Sequence, residues 1–134
     1  MGSLRRKRLP LAMEEKTLTH DRIQALCERD GRYKPEAYTF TMAAVSYCIA
    51  RIGEPRHISG RELLEGLKDL TIESYGPMAK EVLNYWGIGD CRDVGHVVFS
   101  LVDEGLLSKT DSDSIEDFDE GFDFEEEFVT NYRW

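Results

Sequence analysis

The apolar positions of the chain recur every three or four residues over most of residues 19–105, which is the spacing of amphipathic helices. Thr19 is the predicted N-cap of a first short helix, which ends at Gly31. Pro35 opens a second helix with apolar residues on nearly every side, so this helix is predicted to be central and buried. Cys48 within it is predicted to be a packed thiol rather than a nucleophile, because burial disfavours the thiolate.

Polar and glycine signals divide the following stretch into three more helices. Ser59 followed by Glu62 is a capping box, which predicts the start of the third helix. Gly66 inside that helix costs about 1 kcal/mol relative to alanine, so we expect it to permit a close helix crossing. The Gly-Pro pair at residues 76–77 separates the third helix from the fourth, and Asp90 is the predicted N-cap of the fifth.

The end of the helical stretch predicts the fold class. Residues 106–109, Leu-Leu-Ser-Lys, read as a short strand. The chain then has the element order of a winged helix-turn-helix, which is helix, turn, helix, strand and polar loop. We therefore predict a mainly α, small single domain that is winged-helix-like and has a short C-terminal strand or hairpin. Its predicted parts are a flexible basic arm (1–16), the helical domain (17–109) and an acidic, aromatic-rich wing and C-terminal segment (110–134) docked on that domain.

The distribution of charge changes what this fold implies about partners. The net charge is −9, and residues 108–134 hold ten acidic but only two basic side chains. The outward face of the predicted recognition helix offers few donors to base edges or phosphates, since its residues are Arg92, Asp93, His96, Ser100, Asp103 and Glu104. Nucleic acid is therefore disfavoured as a partner, although a nucleic-acid-associated, winged-helix regulator remains the alternative function.

The sequence argues against disulfide-stabilised, zinc-binding, membrane-spanning and EF-hand proteins. The three cysteines form no CxxC pair, which argues against a disulfide framework or a zinc site and fits the reducing cytoplasm. No apolar run is long enough to span a bilayer, so we predict a cytoplasmic protein with no membrane partner. The acidic run from Asp111 lacks the glycine and the final glutamate of an EF-hand loop. We predict no metal, no cofactor and no enzymatic activity.

Basic residues gather at the junction between the second and third helices. The predicted partner-binding residues are Arg51, Arg56, His57 and Arg61, which fall within eleven residues. No catalytic residue is predicted. Such a cluster suits an acidic or phosphorylated partner, or the chain's own acidic C-terminal segment. The aromatic residues of that segment are a second candidate surface. The sequence therefore favours a non-enzymatic protein-interaction or regulatory module with an unidentified protein partner.

A pattern over residues 33–128 also points to a family. Its segments are YKPEAYTF, RHISGRELLEGLKDL, YGPMAKEVLNYWGI, DVGHVVFSLVDEGLLSKTDSDSIEDF and FDFEEEF. On these segments the chain resembles a family of small uncharacterised bacterial proteins. The resemblance implies a bacterial protein, but because the family has no assigned function it implies no catalytic residue, cofactor or partner.

Overall fold

The computed structural model describes residues 12–54, 56–109, 113–119 and 121–130, and for residues 12–18 the backbone alone. Within these residues the chain forms five α-helices: α1 (Ala12–Arg29), α2 (Pro35–Ile52), α3 (Gly60–Tyr75), α4 (Ala79–Tyr85) and α5 (Cys91–Asp103). A 3-10 turn (Gly76–Met78) joins α3 to α4, and the C-terminal segment contains a second 3-10 turn (Ile115–Phe118) and a π-helical turn (Glu126–Thr130). The prediction of a mainly α protein is confirmed.

The prediction of a strand at residues 106–109 is wrong. Gly105 takes a left-handed conformation, with φ of 81°, at the end of α5. The N–H groups of Leu106 and Leu107 then both donate to the Leu101 carbonyl, at 2.9 and 3.3 Å. The Gly-Leu-Leu sequence therefore closes a helix end rather than opening a strand. The described residues contain no strand at all, so the hairpin and the wing that would mark a winged helix have no support there.

The ends of the helices follow local sequence signals, with one exception. Ser59 Oγ accepts from the Glu62 N–H at 3.1 Å while Glu62 Oε1 accepts from the Ser59 N–H at 3.0 Å, which confirms the capping box. Asp90 is confirmed as the N-cap of α5. Thr19, however, lies inside α1, which begins at Ala12. The strong helix formers of residues 12–16 explain the earlier start, and residues 1–11 of the predicted arm lie outside the described residues.

The hydrophobic core lies around α2, which packs against α1, α3 and α5 as its sequence predicts. Among the most deeply buried side chains are Tyr38, Leu64, Leu67, Leu83, Ile88, Val94, Val97 and Leu101. The C-terminal segment contributes Phe118, Phe124 and Phe128 to the same core. Helices and C-terminal segment therefore share one apolar interior.

Gly66 brings α3 close to α2 at the position of Cys48. A Cβ at Gly66 would overlap Cys48 Sγ, so the predicted close crossing is confirmed. We expect Gly66→Ala to lower the free energy of unfolding by about 1–2 kcal/mol. Alanine gains about 1 kcal/mol in helix propensity, but overpacking of a core costs about 1–3 kcal/mol and prevails. Chemical denaturation measures the difference.

The same substitution in a Cys48→Ala background is its control. Without Sγ, the neighbour nearest to the new Cβ is the Cβ of residue 48 at 3.7 Å, an ordinary van der Waals distance. Helix propensity then dominates, so Gly66→Ala is expected to raise the stability of this background by up to about 1 kcal/mol. An equal loss of stability in both backgrounds would contradict the packing explanation.

Candidate functional site

Two of the predicted partner-binding residues pair with carboxylates of α3. Arg51, in the last turn of α2, places Nη1 2.8 Å from Asp69 Oδ2, and its guanidinium lies over the Tyr47 ring. Arg56 places Nη2 2.7 Å from Glu62 Oε2. These pairs fix the direction of the two guanidinium groups along α3, while both side chains keep about half of their surface in solvent.

His57 connects the junction to the C-terminal segment. Its Nε2 lies 2.9 Å from Asp113 Oδ2, an ion pair when the imidazole is protonated. The Arg56 guanidinium donates to the His57 carbonyl at 2.9 Å and so holds the backbone beneath the imidazole. The junction and the acidic C-terminal segment, which the sequence offers as alternative surfaces, therefore meet at this histidine.

Arg56 and His57 border a cavity of about 190 Å³ between α2, the start of α3 and α5. Its lining is largely apolar and comprises Val45, Ile49, Ile58, Leu63, Val98, Phe99, Val102, Leu107 and Phe118. Lys109, Asp113 and Asp117 complete the charged part of the lining. Sites for drug-sized ligands measure roughly 300–1,000 Å³, so this cavity has room for one or two side chains rather than for a large cofactor.

Arg51 and Arg61 line a second, more open depression, which faces the crossing of α2 and α3. Carboxylates of Glu62, Glu65 and Asp69 lie in the same depression, so acids and bases alternate there. The structure thus divides the four predicted residues into two pairs, one on each depression, with Ser59 lining both.

Glu62 has the most strongly altered carboxyl group of the junction. The hydrogen bond from Arg56, followed by that from the Ser59 N–H, lowers the pKa of Glu62 to about 2. The ionised carboxylate therefore stabilises the fold fully above the unfolded-state pKa of about 4.3, and this stabilisation is lost as the pH falls toward about 2.

We expect Glu62→Gln to lower the free energy of unfolding at neutral pH by about 0.5 kcal/mol, a small value because solvent screens this exposed pair. Near pH 2 the difference from the parent chain should vanish. Urea denaturation at several pH values measures it, with Glu81→Gln, an exposed acid in the first turn of α4, as the control. A difference that stays constant from neutral pH to pH 2 would disprove the assignment.

Three basic residues that the sequence reasoning missed also contact the C-terminal segment. Lys68 of α3 lies 3.4 Å from Glu127, Lys80 of α4 lies 3.5 Å from Glu125, and Arg92 of α5 pairs with Asp119. Each of these cations is isolated in the sequence and has acids beside it, so no local cluster marks it. Only the tertiary fold brings them onto one surface.

The cysteines offer no activated nucleophile. Burial raises the pKa of Cys91 to about 11, and burial likewise raises the pKa of Cys27 and of Cys48. These thiols are therefore protonated at neutral pH and poorly reactive.

Metal-ligand clusters and membrane-spanning helices are both absent from the described ranges. No group of three His, Cys, Asp or Glu side chains there is arranged to hold a metal ion. In that part of the chain, no helix combines the length and the apolar character needed to cross a bilayer.

No family model matches the chain, and neither the curated proteins nor the solved structures yields a match. The resemblance to small bacterial proteins therefore stays a prediction. Inference about function rests on the geometry of the junction and of the surface that the C-terminal segment covers.

Proposed function

We propose that the protein is a non-enzymatic protein-interaction module whose partner inserts an apolar side chain into the cavity beside Arg56 and His57. The observation that supports the proposal is the cavity itself, a largely apolar recess whose lining also includes charged groups. Apolar anchors in such recesses, surrounded by polar contacts, supply most of the affinity of protein interfaces.

The charges beside the cavity favour a partner with an acidic group next to its apolar anchor. The Arg56 side chain is 43 % exposed although it pairs with Glu62, so its guanidinium can donate hydrogen bonds to a second carboxylate that approaches from solvent. His57 and Lys109 also line the recess, but so do the carboxylates of Asp113 and Asp117, so the preference for an acidic group rests on Arg56.

The C-terminal segment is a weaker choice for the partner-binding surface. Phe118, Phe124 and Phe128 are buried in the core of their own chain, so they are not presented to a partner while the segment is docked. The cavity beside Arg56 and His57 is open in this same arrangement.

The nucleic-acid alternative has less support. Arg92 on α5 pairs with Asp119, and Asp103 at the other end of that helix is exposed. A binding face for a polyanion needs clustered basic side chains, which this helix does not present. A gel-shift experiment at physiological salt is the direct test: tight binding of generic DNA or RNA would replace our proposal with this alternative.

The main experiment selects peptides from a random library on the full chain and measures their affinity for variants. We expect the selected peptides to share an apolar residue next to Asp or Glu. Val98→Glu, which places a charge in the cavity lining, should weaken binding about tenfold or more. Arg56→Glu, on the exposed side of the cavity, should weaken it as well and carries less risk to folding.

Val129→Glu is the matched control, because Val129 is exposed and does not line the cavity. It should leave the affinity unchanged, and circular dichroism should show that all three variants are folded. Selected peptides that bind Val98→Glu and Arg56→Glu as tightly as the parent chain would overturn the proposal.

A further inference from the structure

We infer that α3, α4 and α5 form a groove specific for acidic, phenylalanine-bearing segments, and that a partner protein's segment of this chemistry can replace the chain's own. In this structure the groove is filled by the C-terminal segment, residues 113–119 and 121–130. The groove overlaps the cavity at the seat of Phe118 and at the His57–Asp113 pair, but its other seat and its other charged residues lie outside the cavity lining. The inference therefore goes beyond the proposed function and does not depend on it.

The first seat of the groove holds Phe118. Glycines form its floor: a Cβ at Gly95 would lie 2.9 Å from the Phe118 ring, and one at Gly60 would lie 3.1 Å from it. Phe99 of α5 completes the seat with an edge-to-face contact at a centroid distance of 6.4 Å. The helices are thus shaped to take an aromatic ring at this point.

The second seat, beside Lys68 of α3, holds three more rings of the segment, which contact one another. Phe124 and Phe128 contact each other at 5.2 Å between centroids, and Phe122 lies 5.6 and 5.8 Å from the two. Between the seats the backbone at Gly121 runs so close to α3 and α5 that a Cβ there would lie 2.9 Å from Leu64 Cδ1. Shape as well as hydrophobicity therefore selects the occupant.

Complementary charge follows the whole length of the groove. Its helices supply the cations Lys68, Lys80 and Arg92, and the junction supplies His57, which adds a charge only when its imidazole is protonated. Each pairs with a different acid of the segment. The pairs are Lys68 with Glu127, Lys80 with Glu125, Arg92 with Asp119, and His57 with Asp113. Lys68 also lies over the Phe122 ring at 5.5 Å, so one cation serves both an acid and a phenylalanine.

Side chains, rather than a backbone ladder, hold the segment in place. Its backbone hydrogen bonds close local turns, such as Asp117 N–H to the Ser114 carbonyl and Glu127 N–H to the Asp123 carbonyl. The Cys91 thiol supplements them, accepting from the Phe122 N–H at 3.4 Å and donating to its carbonyl at 3.3 Å. Recognition of this kind does not require that the segment be continuous with α5.

The same contacts restrict the chemistry of a replacement. An emptied groove would expose the two aromatic seats and leave Lys80 and Arg92 without their acidic partners in the segment, which is unfavourable. Lys68 would keep Glu65 of its own helix, at 3.1 Å. Release is therefore an exchange, and the incoming segment must supply phenylalanines at similar spacing together with acidic residues.

The test uses the full chain and a fluorescent synthetic peptide of residues 113–130, followed by anisotropy at physiological salt. In a Glu127→Lys chain the internal segment faces Lys68 with a like charge, so the unchanged peptide should bind about fivefold more tightly than to the parent chain. In a Lys68→Glu, Glu127→Lys chain the internal ion pair forms again with its charges exchanged, and residue 68 now repels Glu127 of the unchanged peptide. The unchanged peptide should then bind more weakly than to the parent chain.

Two further peptides test the chemistry. A peptide with Phe124→Ala and Phe128→Ala should lose binding, whereas an unrelated acidic peptide that keeps the phenylalanine spacing should bind. Equal affinity for all three chains, with melting curves showing that each is folded, would overturn the inference. Binding confined to the chain's own sequence, accompanied by dimers in light scattering, would also overturn it and would indicate exchange between two copies.

Discussion

Replacing Phe128 by alanine is expected to lower the free energy of unfolding by about 3–5 kcal/mol, the usual cost of removing a buried aromatic ring. Phe128 is 1 % exposed, and its ring packs against Phe122 and Phe124. Natural domains are stable by only about 5–15 kcal/mol, so this single change removes a large share of the total. Urea denaturation followed by tryptophan fluorescence measures it, because Trp86, one of the two tryptophans, is buried.

The neighbouring residue provides the control. Val129 is 48 % exposed, so Val129→Ala should change stability by less than about 0.5 kcal/mol. If Phe128→Ala also cost less than about 1 kcal/mol, the C-terminal segment would not belong to the cooperative unit. If it costs the expected amount, the segment is an integral layer of the core even though it has no regular helix or strand longer than a turn in its described part.

The sequence predicts those parts of this fold that local chemistry determines. The capping box of Ser59 and Glu62 and the N-cap at Asp90 depend on residues three positions apart, and both are present. The close crossing at Gly66 was predictable because a glycine inside an amphipathic helix destabilises that helix and usually serves close packing.

Contacts distant in sequence account for what the sequence does not predict. A Gly-Leu-Leu sequence is compatible with either a strand or a helix end. In this structure the N–H groups of Leu106 and Leu107 donate to the Leu101 carbonyl, which makes it a helix end. Charge density along the chain predicts Arg56 and His57 as partner-binding residues, but the cavity that they border is also lined by Val98 of α5, more than forty residues away. The apolar periodicity of α5 indicated a core face and could not show that part of it borders an open recess.

Replacing Gly87 by alanine is expected to lower the free energy of unfolding by about 3–4 kcal/mol. Gly87 has a φ of 100°, a conformation that strains any residue with a Cβ by about 1–3 kcal/mol. The new Cβ would also overlap the Arg32 carbonyl oxygen, and overpacking adds about 1–3 kcal/mol. This neighbour is backbone, so no change of side-chain rotamer can relieve the overlap.

The loop before α2 cannot easily move away from the new methyl group. The Lys34 N–H donates to the Trp86 carbonyl at 3.0 Å, and the Tyr33 hydroxyl donates to Asp93 Oδ1 at 2.7 Å, so both sides of the contact are fixed. Gly31→Ala in the same loop is the control, because a Cβ there meets nothing within 4 Å, and it should be neutral within about 0.5 kcal/mol. If Gly87→Ala and Gly31→Ala had equal effects in urea denaturation, the loop before α2 would be able to move away from residue 87. The turn between α4 and α5 would then not be held rigidly against that loop.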